Sequence, residues 1–166
     1  TDPCAQATHR FAPFRRAHSG AARRGSQMML VVDASVVVAA LIDNGPDGIW
    51  AEQLLQTTTL AAPHLMPVEA ANILRRSALT GEVSKDNAAL AHHELVSLHC
   101  ELFAYEPVAE RVWALRSNVT VYDACYVALA EALDCELATL DRALSRASGP
   151  RCVFQLPPAN LIHDSD

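Results

Sequence analysis

Apolar and polar residues follow two different periods along this chain, and the pattern predicts short buried strands separated by amphipathic helices. The first continuous apolar run, Leu30 to Val32, predicts a buried strand that ends at Asp33. Later apolar runs predict strands at 59–62, 101–105, 136–140 and 152–156. Capping residues and prolines predict helices over 34–42, 46–56, 65–79, 84–99, 107–117, 120–133 and 142–147. Strands that alternate with helices predict an α/β fold with a parallel sheet.

Composition agrees with a single folded core. The chain has 166 residues, of which 51% are hydrophobic and 19% are charged, and this balance excludes a disordered polyelectrolyte. Aromatic residues make up only 5%, which favours helices and aliphatic strands over a sandwich of aromatic-rich strands.

Charge divides the chain into an N-terminal segment and an acidic body. Residues 1–27 carry five arginines and one acid (+4), so residues 28–166 carry the remaining 8 basic and 18 acidic residues (−10). Residues 1–27 also lack periodicity, which predicts a basic extension that is disordered or not native, with Met28 or Met29 as the natural start; the alternative is an arm that contacts RNA. Residues 28–156 are expected to form the domain, followed by a polar C-terminal tail at 157–166.

The acidic body limits how the protein could bind a polyanion. Nucleic-acid phosphates are repelled by a bare acidic surface, so such a substrate requires a local arginine cluster or a bound cation. The five cysteines have no spacing typical of a disulfide framework or a zinc site, and residues 1–27 contain no continuous apolar run of the kind that a signal peptide has. We therefore expect a cytoplasmic location.

Two aspartates directly follow predicted strands. Asp33 ends the first strand and Asp141 follows the strand at 136–140. Because parallel strands end at the same edge of a sheet, this placement can bring the two carboxylates together, although each could equally cap the helix that follows it.

Two further acids lie at predicted helix starts. Thr120 and Asp123 have the spacing of a capping box, which also directs the carboxylate off the end of its helix. Glu69 shares one helix face with Asn72 and Arg76, which taken alone is typical of a solvated stripe.

Four such acids brought together would repel one another unless a cation holds them. Mg²⁺ prefers oxygen ligands and binds through a few carboxylates together with substrate phosphates, so this combination suits phosphodiester chemistry. Thr139 and Ser35 supply hydroxyl groups beside two of the aspartates, suited to orient a water or a carboxylate.

Four fragments in order resemble the PIN-domain ribonucleases of the VapC toxin type. They are MLVVDAS at 29–35, PxExxN at 67–72, TVYDACYVALAE at 120–131 and ATLDRAL at 138–144. The resemblance covers residues 29–156 and implies a three-layer α/β/α PIN-like fold with a central parallel sheet. It also implies an endoribonuclease toxin that depends on Mg²⁺ or Mn²⁺ and is neutralised by a small VapB-like antitoxin.

Carried over residue by residue, the resemblance implies catalytic and metal-binding roles for four acids, with Thr139 as an accompanying catalytic hydroxyl. The four acids are Asp33, Glu69, Asp123 and Asp141. Some members have another acid where this chain has Ala143, which leaves open whether one or two metals bind. We also expect a homodimer that uses the helix bearing Tyr126, and an antitoxin tail that places a basic residue beside Asp33 and Asp123.

Other functions fit the residues less well. A receiver-like signalling domain would need a lysine near its last strand, but the only lysine is Lys85 in a predicted helix. A haloacid-dehalogenase-type phosphatase would need a second acid at Ser35. Two alternatives within the same fold stay open: a housekeeping PIN-domain nuclease that processes RNA, and a catalytically inactive interaction scaffold, which is disfavoured because all four acids are present.

Overall fold

A computed structural model describes residues 29–158 of the chain, so the predicted extension at 1–27 and most of the tail at 157–166 lie outside the described residues. The strands are β1 (Met29–Val32), β2 (Thr59–Pro63), β3 (Cys100–Phe103), β4 (Glu136–Ala138) and β5 (Phe154–Gln155). The α-helices are α1 (Ala34–Ile42), α2 (Pro46–Thr57), α3 (Met66–Thr80), α4 (Lys85–Ser97), α5 (Ala109–Ala114) and α6 (Val121–Leu133). Short 3-10 turns cover Glu106–Val108 and Leu144–Arg146.

All five strands are parallel and lie in the order β3-β2-β1-β4-β5. The chain therefore moves outward from β1 to β3 and then crosses back to the other side of β1. Right-handed crossovers place α1 to α4 on one face and α5 and α6 on the other. In agreement, α1 contacts α2, α3 and α4, while α6 contacts α5 and three of the strands. The predicted α/β/α architecture is confirmed, and its switch point lies between β1 and β4.

The core explains why the strands are so short and apolar. Val31, Val32 and Leu137 on the central strands are fully buried, as are Val36 on α1 and Val127 on α6. Burying each such side chain contributes about 1.5–3 kcal/mol. Central strands covered on both faces must be apolar throughout, so polar groups appear only where the strands end.

Several boundaries differ from the sequence prediction because backbone groups find other partners. The predicted strand 136–140 ends at Ala138, since the Leu140 N–H donates to the Ser35 hydroxyl oxygen at 3.2 Å. The predicted helix 142–147 is a 3-10 turn whose first N–H groups are capped by Asp141. No helix among residues 29–158 is long and apolar enough to cross a membrane.

Candidate active site

A cleft of about 270 Å³ lies at the carboxyl ends of β1 and β4, and the four predicted site acids all line it. Its polar lining consists of Asp33, Glu69, Asp123 and Asp141 together with Ser35, Asn72, Arg76 and Tyr126. These residues come from the end of β1, the first turns of α3 and α6, and the loop after β4. The sheet reverses its winding direction here, which is where open α/β sheets bind ligands.

Asp33 is the deepest of the four acids, with only 9% of its surface exposed. One carboxylate oxygen caps α1 by accepting from the backbone N–H of Ser35 at 2.6 Å and of Val36 at 3.3 Å. The hydroxyls of Ser35 and Thr139 also donate to this carboxylate. Burial raises the pKa of Asp33, and the hydrogen bonds offset this only in part, because none of the donors carries a charge. Asp33 therefore caps α1 and lines the cleft with the same carboxylate.

Thr139 connects two of the acids. Its side chain is fully buried, and its hydroxyl donates to Asp33 while its oxygen accepts from the backbone N–H of Asp141 at 3.0 Å. The hydroxyl therefore fixes the orientation of the Asp33 carboxylate and the start of the loop that carries Asp141. Of the two uses that the sequence suggested for this hydroxyl, the structure favours orienting a carboxylate, because its burial keeps it from water.

Glu69 is held by a residue of another helix. The Tyr126 hydroxyl donates to a Glu69 carboxylate oxygen at 2.5 Å, which joins α6 to α3. Tyr126 is only 3% exposed, so its side chain packs in the core, whereas Tyr122 on the same helix is 64% exposed. Burial raises the pKa of Glu69, the Tyr126 hydrogen bond lowers it, and the charges of Asp33 and Asp123 raise it. The net pKa is raised.

Asp123 and Asp141 lie at the open side of the cleft. The Thr120 hydroxyl donates to Asp123 at 2.6 Å, and the Asp123 N–H donates back to the Thr120 oxygen at 3.2 Å, which is the predicted cap of α6. Asp141 caps the turn at Leu144–Arg146 through one oxygen, accepting from the N–H groups of Ala143 and Leu144 at 2.7 and 3.0 Å. Each carboxylate keeps one oxygen that is not used in capping.

The cleft concentrates negative charge. In the stretch 29–158, the only two ion pairs both involve Glu131, at the other end of α6, and Arg76 is the only basic residue of the cleft lining. Within that stretch no group of three or more His, Cys, Asp or Glu side chains is arranged as a ready metal cluster. The hydrogen bonds described above hold each carboxylate to its own neighbours. The donor set of hard oxygens with little cationic compensation nevertheless fits a divalent cation such as Mg²⁺.

Sequence reasoning missed two features of this site. The Tyr126 contact to Glu69 spans 57 positions, and its only sequence signal is that Tyr126 follows Asp123 by one helical turn. A second depression begins at Asp123 and Asp141 and is lined by Arg116, which no motif singles out.

Comparisons with known proteins identify relatives of this chain and of its fold. A family model described as PIN domain matches residues 30–150. The chain is 42% identical over 127 residues to Ribonuclease VapC1 of Mycobacterium tuberculosis, an alignment that covers 76% of this chain and 96% of that protein. The structure of PAE2754 from Pyrobaculum aerophilum superposes with a TM-score of 0.59 at 24% identity, covering 77% of this chain and 83% of that one. VapBC2 from Rickettsia felis, solved bound to a DNA fragment from its promoter, gives a TM-score of 0.57 at 14% identity, with 78% and 98% covered.

Proposed function

The chain belongs to the PIN-domain family, and from that premise we propose that it is an endoribonuclease toxin of the VapC type. Its substrate is RNA, its reaction is hydrolysis of phosphodiester bonds, and it depends on Mg²⁺ or Mn²⁺. A small VapB-like antitoxin neutralises it. The alternative of a housekeeping nuclease uses the same chemistry and differs in its biological target.

One observation carries the proposal: four carboxylates from four separate chain segments line a single cleft at the switch point of the sheet. The mutual effect of these charges is evident at Glu69, whose pKa Asp33 and Asp123 both raise. Native structures rarely leave several carboxylates together without cationic partners, because unpaired buried charge is costly. A bound divalent cation removes that cost and attracts the phosphates of a polyanion.

In this proposal Asp33, Glu69, Asp123 and Asp141 hold the metal. When bound, Mg²⁺ or Mn²⁺ activates a water and neutralises charge that develops on the phosphate. A cation held by these ligands would allow an acidic domain to bind a polyanionic substrate that its surface would otherwise repel.

The chain's own residues prepare the site. Ser35 and Thr139 fix the Asp33 carboxylate from two sides, so it does not have to reorient on binding. Tyr126 holds Glu69 in the cleft, and Arg76 offers a guanidinium at its rim for a phosphate oxygen of the substrate.

The proposed antitoxin is a basic partner. An arginine or lysine inserted beside Asp33 and Asp123 would form charge-assisted hydrogen bonds in place of the metal. The proposed homodimer cannot use the buried Tyr126 side chain; exposed Tyr122 on the same helix remains available.

Cleavage of RNA by the purified chain tests the proposal. Wild-type protein should cleave total RNA in the presence of Mg²⁺ or Mn²⁺ and should lose this activity in EDTA, while Asp33→Asn should cleave roughly 10²-fold more slowly or not at all even with metal. Cleavage that persists in EDTA would contradict the metal dependence. Cleavage by Asp33→Asn at the wild-type rate would contradict the site.

Growth separates the toxin from the housekeeping enzyme. Expression of the wild-type chain without a partner should arrest growth, and Asp33→Asn should not. Full growth with an active enzyme would favour the housekeeping alternative.

We further propose that residues 28–156 form the catalytic unit and that residues 1–27 are dispensable. Deleting them should leave the melting temperature and the salt dependence of cleavage unchanged. A clearly shallower salt dependence after deletion would instead identify a basic arm that contacts RNA.

A further inference from the structure

A second depression, of about 560 Å³, continues the cleft on the far side of Asp123 and Asp141. It shares these two acids with the cleft, so the two form one groove. Its other polar lining residues are Arg116, Ser117, Asn118 and Thr120. We call this half the Arg116 groove.

The Arg116 groove differs chemically from the acidic cleft. Apart from the two shared acids, its lining is uncharged except for Arg116. Arg76 lines the opposite half. The carboxylates therefore lie between two arginines, an arrangement in which a polyanion can cross the centre with a cation on either side.

Arg116 is oriented by its neighbour Trp113. The guanidinium carbon lies 5.1 Å from the centre of the Trp113 ring, and one terminal N–H group donates to the Trp113 carbonyl oxygen at 2.8 Å. Within residues 29–158 it forms no ion pair, since both ion pairs there go to Glu131. Arg116 is thus a preorganised cation with further N–H donors available for a phosphate.

Trp113 adds an aromatic surface beside that cation. Its side chain lies on α5 and is 61% exposed, whereas tryptophan side chains are on average highly buried. An exposed ring next to a guanidinium suits a stacked base whose phosphate contacts the arginine.

The rim of the Arg116 groove is fixed by hydrogen bonds. The Asn118 amide donates to the Ser148 hydroxyl oxygen at 2.9 Å, and Thr120 is joined to Asp123 by the cap of α6. Gly149 lies against Asn118, where a Cβ would come within 3.3 Å of its side chain. A surface fixed in this way can bind a flexible chain without first becoming ordered.

We propose that the Arg116 groove binds the single-stranded RNA segment that flanks the scissile phosphodiester bond, with Arg116 contacting a backbone phosphate and Trp113 stacking on a base. This inference rests on the proposed ribonuclease function and assigns a substrate subsite to it. An inhibitory protein that presents basic residues to the acids is a poorer occupant, because Arg116 would repel it.

Binding and cleavage measured separately test the subsite. The inactive Asp33→Asn chain, mixed with a fluorescent single-stranded oligoribonucleotide, reports binding without cleavage. Adding Arg116→Gln should weaken binding about fivefold or more and reduce the salt slope by about one contact. Trp113→Ala should weaken binding by a similar factor, and RNA should quench Trp113 fluorescence in a Trp50→Phe background.

Arg75→Gln is the matched control, because Arg75 is an exposed arginine that lines neither half of the groove. It removes the same charge and should leave affinity and salt slope unchanged. In the otherwise wild-type chain, Arg116→Gln should raise KM and leave kcat near its original value, whereas a general loss of structure would lower kcat.

The outcomes distinguish the subsite from the proposed function. Arg116→Gln and Trp113→Ala variants that bind RNA as tightly as the Asp33→Asn parent would overturn the subsite, even if the wild type cleaves RNA. Binding that Arg75→Gln weakens as much as Arg116→Gln would also overturn it, since charge alone would then explain the effect. A wild-type chain that cleaves no RNA with metal would contradict the proposed function, while RNA binding lost specifically in Arg116→Gln would still support the subsite.

Discussion

The two ends of helix α6 carry acidic residues in opposite electrostatic situations. At its C-terminal end, the Glu131 carboxylate accepts from Arg111 at 2.7 and 3.0 Å and from the Arg151 backbone N–H at 2.7 Å. At its N-terminal end, Asp123 lies in a cleft with three other acids and a single arginine, Arg76. The carboxylate at one end of α6 is therefore neutralised by arginine, whereas the carboxylate at the other end belongs to a group of acids with too few cations to neutralise them.

The pKa shifts follow the same division. Burial raises the pKa of Glu131, but the hydrogen bonds and charges of Arg111 and Arg151 outweigh it, so the pKa is lowered overall. Burial also raises the pKa of Asp33 and of Glu69, and there the neutral donors do not outweigh it. The carboxylate at the Glu131 end has its cations built in, whereas the cleft acids lack such partners, which supports the proposal that they bind a cation from solution.

The largest expected effect comes from neutralising the cleft. Asp33→Asn removes one proposed metal ligand but keeps an oxygen that can cap α1. Cleavage should fall by roughly 10²-fold or more, while the melting temperature without metal should stay equal or rise because repulsion among the acids is relieved. RNA cleavage and thermal melting of the same preparations check this, and a large loss of stability would contradict it.

Neutralising the acid at the other end of α6 should lower stability and leave activity unchanged. Glu131→Gln leaves Arg111 without its carboxylate, and because the Glu131 side chain is only 13% exposed the expected loss is about 1–3 kcal/mol of unfolding free energy. Activity per folded molecule should be unchanged. Denaturant unfolding and cleavage assays would measure both; a parallel loss of activity in folded protein would show that the two ends are not independent.

Gly149 tests how strongly the Glu131 end depends on backbone geometry. Its φ is +106°, and an added Cβ would lie 3.1 Å from a Leu115 methyl carbon. Its carbonyl also accepts from Arg111 at 2.7 Å. Gly149→Ala should therefore cost about 1–2 kcal/mol, as measured by denaturant unfolding. An unchanged midpoint would show that this turn relaxes freely.

A smaller effect is expected in the pH dependence of stability. The lowered pKa of folded Glu131 means that its contribution is fully present above the pKa of the unfolded chain and is lost as pH falls through the folded pKa. Wild type should therefore lose more stability than Glu131→Gln as pH falls below about 4.5, the ordinary glutamate value. Denaturant unfolding at several pH values measures this difference. Free energies of unfolding that fall in parallel for the two proteins would contradict the prediction.

The sequence predicted the fold because its signals are local. Asp33, Ser84 and Thr120 cap helices where their side chains predicted it, and Gly81 ends α3 in the left-handed conformation. Apolar strands that alternate with helices capped in this way predict a parallel sheet. The boundaries that failed, near Ala138 and in the turn Leu144–Arg146, depend on side-chain hydrogen bonds from Ser35 and Asp141.

Only part of the cleft could be predicted from the order of strands and helices. Parallel strands explain why Asp33 and Asp141 share an edge, and the resemblance supplied Glu69 and Asp123. The Tyr126 contact to Glu69 depends on how α6 packs against α3, and the pairing of Arg116 with Trp113 depends on the side-chain conformation of the arginine, so no sequence pattern predicted either contact. The catalytic and metal-binding roles of the four acids stay predictions.

Metal-dependent melting tests most directly the claim that the cleft acids are arranged for a cation. Millimolar Mg²⁺ or Mn²⁺ should raise the melting temperature of wild type and of Glu131→Gln by the same amount, with about 1.4 kcal/mol gained at a tenfold excess over Kd. Asp33→Asn should show a much smaller rise. Equal melting temperatures of the wild type with and without saturating metal, or an undiminished rise in Asp33→Asn, would contradict the account.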